Sequence, residues 1–205
     1  MPQGVEVQVL SHPPVMTEFL PAEDYLSFEN GGRLFDVHPG VPSFLADQLV
    51  EKSKQAHINR WTPNDAASRF SDLEAINKHI DKGRYMYSLA HGEDLAGIIW
   101  YGEKEFPTQE FGPQAANHTF AIRIYEGYLR QGLASPFMDR SLNDYLHTFI
   151  ETPREDVFNG LWLSSAVDNR AVELYLRYGY RVAGQSDGKV YMVLSEGKIR
   201  EITGA

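Results

Sequence analysis

The chain of 205 residues contains no cysteine. That excludes a disulfide framework, a thiolate-ligated zinc or iron–sulfur centre, and a thiol nucleophile. An intermediate carried on an enzyme cysteine is excluded with them. No metal site is expected. No run approaches the ~18 consecutive apolar residues of a membrane helix. Met1 to Leu20 has neither a basic start nor a long apolar stretch, so it does not read as a signal peptide. The expectation is a soluble, intracellular, cytoplasmic protein with no membrane partner. A cationic excess is also missing, since 19 Lys and Arg face 28 Asp and Glu for a net charge of -9. A nucleic-acid binder normally shows a basic footprint, so no nucleic-acid partner is expected. The acidic balance fits a cationic partner, or simply solubility. Internal repeats and low-complexity tracts are absent as well.

What is present reads as one mixed α/β domain over residues 1–205. Hydrophobic residues make up 42% and aromatics 12% of the chain, and a chain of this size buries roughly 70% of its unfolded surface. Val5, Val7 and Val9 alternate with polar residues and predict a strand. Residues 11–40 are rich in proline and glycine, with a short strand expected at Arg33–Val37. A helix is predicted from Pro42, with Phe44, Leu45 and Leu49 on one face. Asn59 to Pro63 reads as a break. A second helix is predicted from Pro63 to Gly83, with Ala66, Phe70, Leu73, Ile76 and Ile80 inward. A hairpin follows over Tyr85–Leu89 and Leu95–Tyr101. Further strands are expected at His118–Tyr125 and Leu161–Val167, and further helices at Gly132–His147 and Asn169–Tyr178. A last hairpin is expected around Ser186-Asp187-Gly188-Lys189.

Two segments carry the chemistry. Tyr125-Glu-Gly-Tyr-Leu-Arg-Gln-Gly-Leu-Ala-Ser135 joins a strand to a helix. Gly132 and Ala134 let backbone approach a ligand closely. The helix start offers unpaired N–H groups and a positive dipole end, which suit phosphate or pyrophosphate. Arg130 adds a cation. No Lys-Ser/Thr follows the glycines and the three-glycine spacing is missing, so this is neither a P-loop nor a dinucleotide fingerprint. The second segment, Leu161 to Tyr180, reads as strand, cap, helix, glycine stop and aromatic.

Together the two segments resemble the GCN5-related N-acetyltransferase superfamily (GNAT), over about residues 85–194. That family carries a Gln/Arg-x-x-Gly-x-Gly/Ala turn and an Asn-x-x-Ala-x-x-Leu-Tyr-x-x-x-Gly-Phe segment. The resemblance implies a mostly antiparallel central sheet flanked by helices, with residues 41–205 as the acetyltransferase core and 1–40 as an N-terminal extension. That extension either adds an edge strand and covers the acceptor cleft or mediates a homodimer. The resemblance also implies acetyl-CoA as co-substrate and an amine of a small molecule or peptide as acceptor, with direct transfer in a ternary complex. The implied cofactor contacts are Arg130, Gln131, Gly132, Leu133 and Ala134 at the turn. Ile122, Arg123 and Ile124 are expected on a strand that splays from its neighbour, with Asn169 in the second motif. Leu129 departs from the family's Gln or Arg. Asn169 is one residue closer to Tyr175 than usual and Asp168 holds the register position, so either meets the cofactor or caps the helix.

Acetyl transfer to an amine requires deprotonation of the amine and protonation of the leaving thiolate. A lysine-like amine is neutral in only about 1 in 2,500 molecules at pH 7, a deficit of about 4.6 kcal/mol. By resemblance Tyr175 is the acid beside the cofactor sulfur, and its phenol is protonated at neutral pH. Some family members place a glutamate where Leu163 or Ser164 stands here. Histone-type members place one where His118 stands, which makes His118 the expected base. Glu103, Glu105 and Glu126 are other carboxylates near the expected cleft, and a water chain is a further alternative. Arg60 and Trp61 are candidates to line the acceptor pocket, and Glu110 joins Glu103 and Glu105 as an acidic group near it. Two other functions stay open: an acyl-CoA-binding sensor or subunit without turnover, and transfer of a longer acyl group.

Overall fold

A computed structural model describes residues 26–107, 111, 116–151 and 158–203. The strand expected at residues 5–9, and Glu110, lie outside the described residues. One sheet of eight strands runs through the molecule in the order β1-β2-β3-β4-β5-β6-β8-β7. The strands are β1 (Leu26–Asn30), β2 (Arg33–Pro39), β3 (Tyr85–His91), β4 (Asp94–Glu103), β5 (His118–Ile124), β6 (Leu161–Ala166), β7 (Tyr180–Ser186) and β8 (Lys189–Leu194). Every neighbouring pair is antiparallel except β5 and β6. The helices are α1 (Ser43–Lys52), α2 (Ala56–Trp61), α3 (Leu73–Ile80), α4 (Ala134–Glu151), α5 (Ala171–Tyr178) and α6 (Glu196–Thr203). The mixed, mostly antiparallel sheet flanked by helices is the architecture expected from the sequence.

β4 is buried along nearly its whole length because both of its faces carry helices. Ile99 and Tyr101 face Phe137, Leu142 and Tyr145 of α4 and Tyr175 and Tyr178 of α5. Ile98 and Trp100 face Leu45 and Leu49 of α1, Ile58 of α2 and Ile76 of α3. The β3–β4 register shifts between Leu89 and Ala90. The extra residue on β4 moves the apolar alternation by one, so Leu95 and Ile98 share a face although they are three apart.

Four local results differ from expectation. The sequence Leu26-Ser-Phe-Glu-Asn30 forms β1, turned by Gly31 and Gly32 into β2. Its alternation of Leu26 and Phe28 sits among prolines and glycines that obscure it. Asn59–Trp61 of the expected break belongs to α2, which narrows the break to Thr62 and Pro63, and the single helix expected after Pro63 is two pieces. Thr62 leaves the helical region (φ -143, ψ 62) as residues preceding proline tend to do. A π-helical turn follows at Asp65–Arg69, and Asp72 then starts α3 by accepting the Ala75 N–H at 2.8 Å. Phe44 and Leu73, expected inward, are exposed. Finally, the polar C-terminal segment forms α6, which lays Lys198 over the Tyr178 ring at 4.9 Å.

His79 of α3 lies edge-on between Phe70 and Trp100, with ring centroids at 5.6 and 5.5 Å. Burial, helped by the positive charges of Arg69, Arg84 and Lys82, lowers its pKa from 6.5 to about 4. The native state therefore binds no proton there between pH 6.5 and 4, while the unfolded chain does. Stability contributed by neutral His79 is full above pH 6.5 and falls by about 3 kcal/mol as pH drops to 4. Denaturant unfolding of wild type and His79→Gln across this range checks it. The variant's loss of stability on acidification is expected to be smaller by about that amount.

Candidate active site

β5 is paired to β4 along its whole length, through Ile124 opposite Gly97. Its pairing with β6 stops after His118–Leu161 and Thr119–Trp162. β6 instead continues along β8 from Trp162 to Ala166. The expected splay between these strands is therefore present in the structure. The Tyr125 N–H donates to the Ala96 carbonyl at 2.9 Å. By the alternation of an antiparallel ladder, Arg123 turns its backbone toward β4, and Ile122 and Ile124 turn theirs toward the gap.

Both carbonyls on that edge are held. The Ile122 carbonyl accepts from Arg123 Nη1 at 2.8 Å. The Ile124 carbonyl accepts from His57 Nε2 of α2 at 3.1 Å. A carbonyl only accepts, so His57 carries a proton on Nε2, and in the neutral imidazole the lone pair stands on Nδ1. That Nδ1 has no partner among the described residues. The N–H groups of Ile122 and Ile124 remain as donors toward the gap.

The side chain of Arg123 crosses to the helical layer formed by α1–α3. Its Nε donates to Asp65 Oδ2 at 2.6 Å, and Arg69 Nη1 donates to Asp65 Oδ1 at 2.6 Å. The Asp65 carboxylate is fully buried and the Arg123 side chain is 12% exposed. Trp100 lies beneath both guanidiniums, at 4.9 Å from Arg123 and 5.8 Å from Arg69. The π-helical turn makes this possible: Phe70 N–H reaches back to the Asp65 carbonyl at 2.8 Å, and Asp65 points inward while Arg69 stays beside it. Nothing in the sequence pattern marks Asp65, since an Asp and an Arg four apart have the spacing of an exposed helical pair.

On the other face of the sheet Tyr175 of α5 is 8% exposed, edge-on to Phe120 and tilted against Tyr180, both at 5.9 Å. Burial raises its pKa, opposed by the Arg123 charge, so the phenol holds its proton at neutral pH.

The turn after β5 opens at the same end of the sheet. Arg130 and Gly132 take positive φ of 63° and 77°. Nothing lies within 4 Å of where a Gly132 side chain would start, so what a larger residue would strain is the backbone itself. α4 begins at Ala134 with its first amides unpaired by the helix. Gln131 is fastened by Nε2 to the Gly127 carbonyl at 2.5 Å and by Oε1 to Arg33 Nη1 at 3.0 Å. Its carbonyl accepts from Asn30 Nδ2 at 2.8 Å. The β1–β2 hairpin thus braces the turn, and Gln131 offers a ligand its backbone only.

No protein-family model and no curated protein sequence matches this chain. Solved structures do match it in three dimensions. The GNAT domain of PAT from S. lividans superposes with a TM-score of 0.60 at 14% identity, covering 86% of this chain and 99% of that one. RimJ of Mycobacterium smegmatis, in complex with CoA-disulfide, gives 0.62 at 11% identity over 85% and 88%. The aminoglycoside acetyltransferase AAC(6')-Ib, in complex with coenzyme A and kanamycin, gives 0.58 at 17% over 82% and 99%. The chain has the GNAT fold.

Within the GNAT fold the remaining expected residues fall as follows. His118 is fully buried at the paired end of β5, with Nδ1 2.9 Å from Asn117 Oδ1 and its ring against Phe158 and Tyr145. Glu103 Oε1 lies 3.9 Å from its Nε2. The splay opens beyond it, and Ile124 is about 20 Å further along the strand. Asn169 accepts the Ala171 N–H on Oδ1 at 3.0 Å and begins α5, while Asp168 is exposed. Leu129 is exposed and Leu133 buried. Arg60 stacks on Trp61 at 4.8 Å. Glu103, Glu105 and Glu126 are exposed. Among the described residues no group of three His, Asp or Glu side chains is placed to hold a metal ion, and no helix is long and apolar enough to cross a membrane.

Removing the Asp65 carboxylate leaves two guanidiniums facing a buried site. Asp65→Ala is expected to cost about 3 kcal/mol of unfolding free energy. Glu74→Ala, which breaks the exposed 2.6 Å pair with Lys78, is expected to cost less than about 1 kcal/mol. Urea unfolding of the two variants measures the difference.

Proposed function

We propose that this chain is an N-acyltransferase that moves an acetyl group from acetyl-CoA to a primary amine by direct transfer in a ternary complex. One observation carries the reading: an unpaired strand edge with free donors opens beside a turn with unpaired amides at a helix start. An extended thioester with a pyrophosphate needs those two features together. The turn from Arg130 to Ala134 would hold the pyrophosphate by its amides, with the Arg130 charge beside it. The Ile122 and Ile124 N–H groups would hold the pantetheine arm. Acetyl-CoA supplies the activated acyl group when bound.

Tyr175 holds a proton on a buried phenol packed against Phe120 of β5, and in this reading the sulfur leaves beside it. As the amine nitrogen bonds to the acyl carbon, the carbon–sulfur bond breaks and the sulfur takes the Tyr175 proton. The amine gives up its own proton in the same reaction. Of the two histidines near β5, we assign that proton to His57 rather than His118. His57 sits at the splayed end, bonded to the Ile124 carbonyl with its buried Nδ1 unpartnered among the described residues, and His118 is enclosed by rings at the paired end. The chain's residues 26–39 belong to the same folded unit as the core in this reading, since they brace the cofactor turn.

Thiol release from acetyl-CoA with a panel of amines tests the activity. Tyr175→Phe is expected to lower kcat by about 10²-fold or more with little change in acetyl-CoA affinity. Unchanged turnover removes the acid assignment. His57→Gln is expected to lower kcat by about 10²-fold while His118→Gln leaves it within about threefold, and the opposite pattern returns the base to His118. Gly132→Val is expected to weaken CoA binding by about tenfold by calorimetry, and unaltered affinity contradicts the phosphate turn. Tight CoA binding with no release across the amine panel would make the chain a sensor.

A further inference from the structure

We infer that the acceptor carries a carboxylate beside its amine, and that Arg123 is the group that receives it. The inference rests on the acyltransferase reading above and goes on to name the acceptor class. Asp65 spends both carboxylate oxygens, one on Arg123 and one on Arg69, each at 2.6 Å. Two guanidiniums on one carboxylate leave a surplus of one positive charge. The surplus is held at low dielectric, since Asp65 is fully buried and Trp100 lies beneath both cations.

Arg69, 36% exposed, faces outward to a cavity it shares with Asp72, Glu74, Lys78, His79 and Lys82, where solvent and the two carboxylates screen its own charge. Its part is to neutralise Asp65, which leaves the Arg123 charge uncancelled. Arg123 stands on β5 at the gap, one residue from each strand amide proposed to hold the acyl donor. Its Nε and one Nη1 hydrogen are taken by Asp65 and the Ile122 carbonyl. Its other N–H groups have no partner among the described residues. Beside this pair, on the residue after β5, the Tyr125 hydroxyl is buried and also unpartnered, and it lies in the field of both Arg123 and Asp65. Glu126, the next residue, is exposed.

The spot thus offers donors and a positive charge, with no free buried carboxylate among the described residues to receive a second amine. A planar carboxylate matches a guanidinium fork. A diamine or polyamine would bring a second cation against this charge and be disfavoured. The chain's net charge of -9 sets the sign of the whole surface and does not reach this desolvated point.

The test separates the anion site from the transfer reaction. Thermal shifts of the CoA complex are measured with a panel of N-acetylated α-amino acids and with their carboxamides, which differ only in that charge. The carboxylate series is expected to bind at least about tenfold more tightly to the wild type. That preference is expected to fall below about twofold in Arg69→Met, where Asp65 cancels Arg123, and to return in Arg69→Lys. Equal affinity for the two series in the wild type, or a preference unchanged in Arg69→Met, overturns the inference. In parallel, acetylation of free amino acids, their carboxamides and a diamine is followed by thiol release. Faster turnover of the amino acids supports the inference, and faster turnover of the diamine overturns it. No transfer to any of them, with the binding preference intact, overturns the acyltransferase reading and leaves the carboxylate site standing.

Discussion

A strand that loses its neighbour halfway must satisfy its backbone by other means. β5 meets that constraint from Phe120 onward. A buried polar backbone group without a partner costs as much as a lost hydrogen bond or more. The chain answers by reaching through the sheet: Arg123 returns to the Ile122 carbonyl, and α2 sends His57 to the Ile124 carbonyl. The acceptors are covered and the donors are left. At Ile122 and Ile124 the edge presents its N–H groups to the gap and attracts carbonyl and anionic oxygens, and that bias follows from which side chains stand at two positions.

The Asp65 cluster makes this arrangement durable. Arg123 would lose rotamer freedom and hydration if it were fixed by the Ile122 carbonyl alone. The buried carboxylate supplies a strong charge-assisted bond at 2.6 Å. It comes from the π-helical turn between α2 and α3, so the helical layer and the strand edge are fastened at one point. Gly97 belongs to the same arrangement: a side chain there would begin 2.7 Å from the Arg123 carbonyl, against the backbone that carries the cluster.

Much of the sheet was legible in the sequence because β3, β4, β5, β6 and β8 alternate or run apolar without interruption. The turn at Gly132 and the helix around Tyr175 were legible because small residues and a glycine stop follow strands at fixed spacing. The splay itself followed from the resemblance to GNAT acetyltransferases rather than from any local pattern. β1 was hidden by its proline-rich surroundings, and α6 by a polar composition broken only by Ile199 and Ile202, which pack against the core beside Lys198 over the Tyr178 ring. Asp65, Arg69 and His57 were not legible as site residues. Their meaning comes from a break in a helix and a partner some sixty residues away, and single-sequence periodicity carries neither. His118 shows the converse: a histidine at a strand start reads as accessible, and the rings of Tyr145 and Phe158 close over it.

The junction of β5 with β6 is only two residue pairs long. In mechanical terms the sheet is a five-stranded panel, β1 to β5, and a three-stranded panel, β6 to β8, sewn together by one short seam. An extended ligand that bonds to the Ile122 and Ile124 amides while resting against β6 would act as the missing length of stitching. Occupancy of the gap and continuity of the sheet then become a single quantity. The shear resistance of the whole molecule would report whether its site is filled.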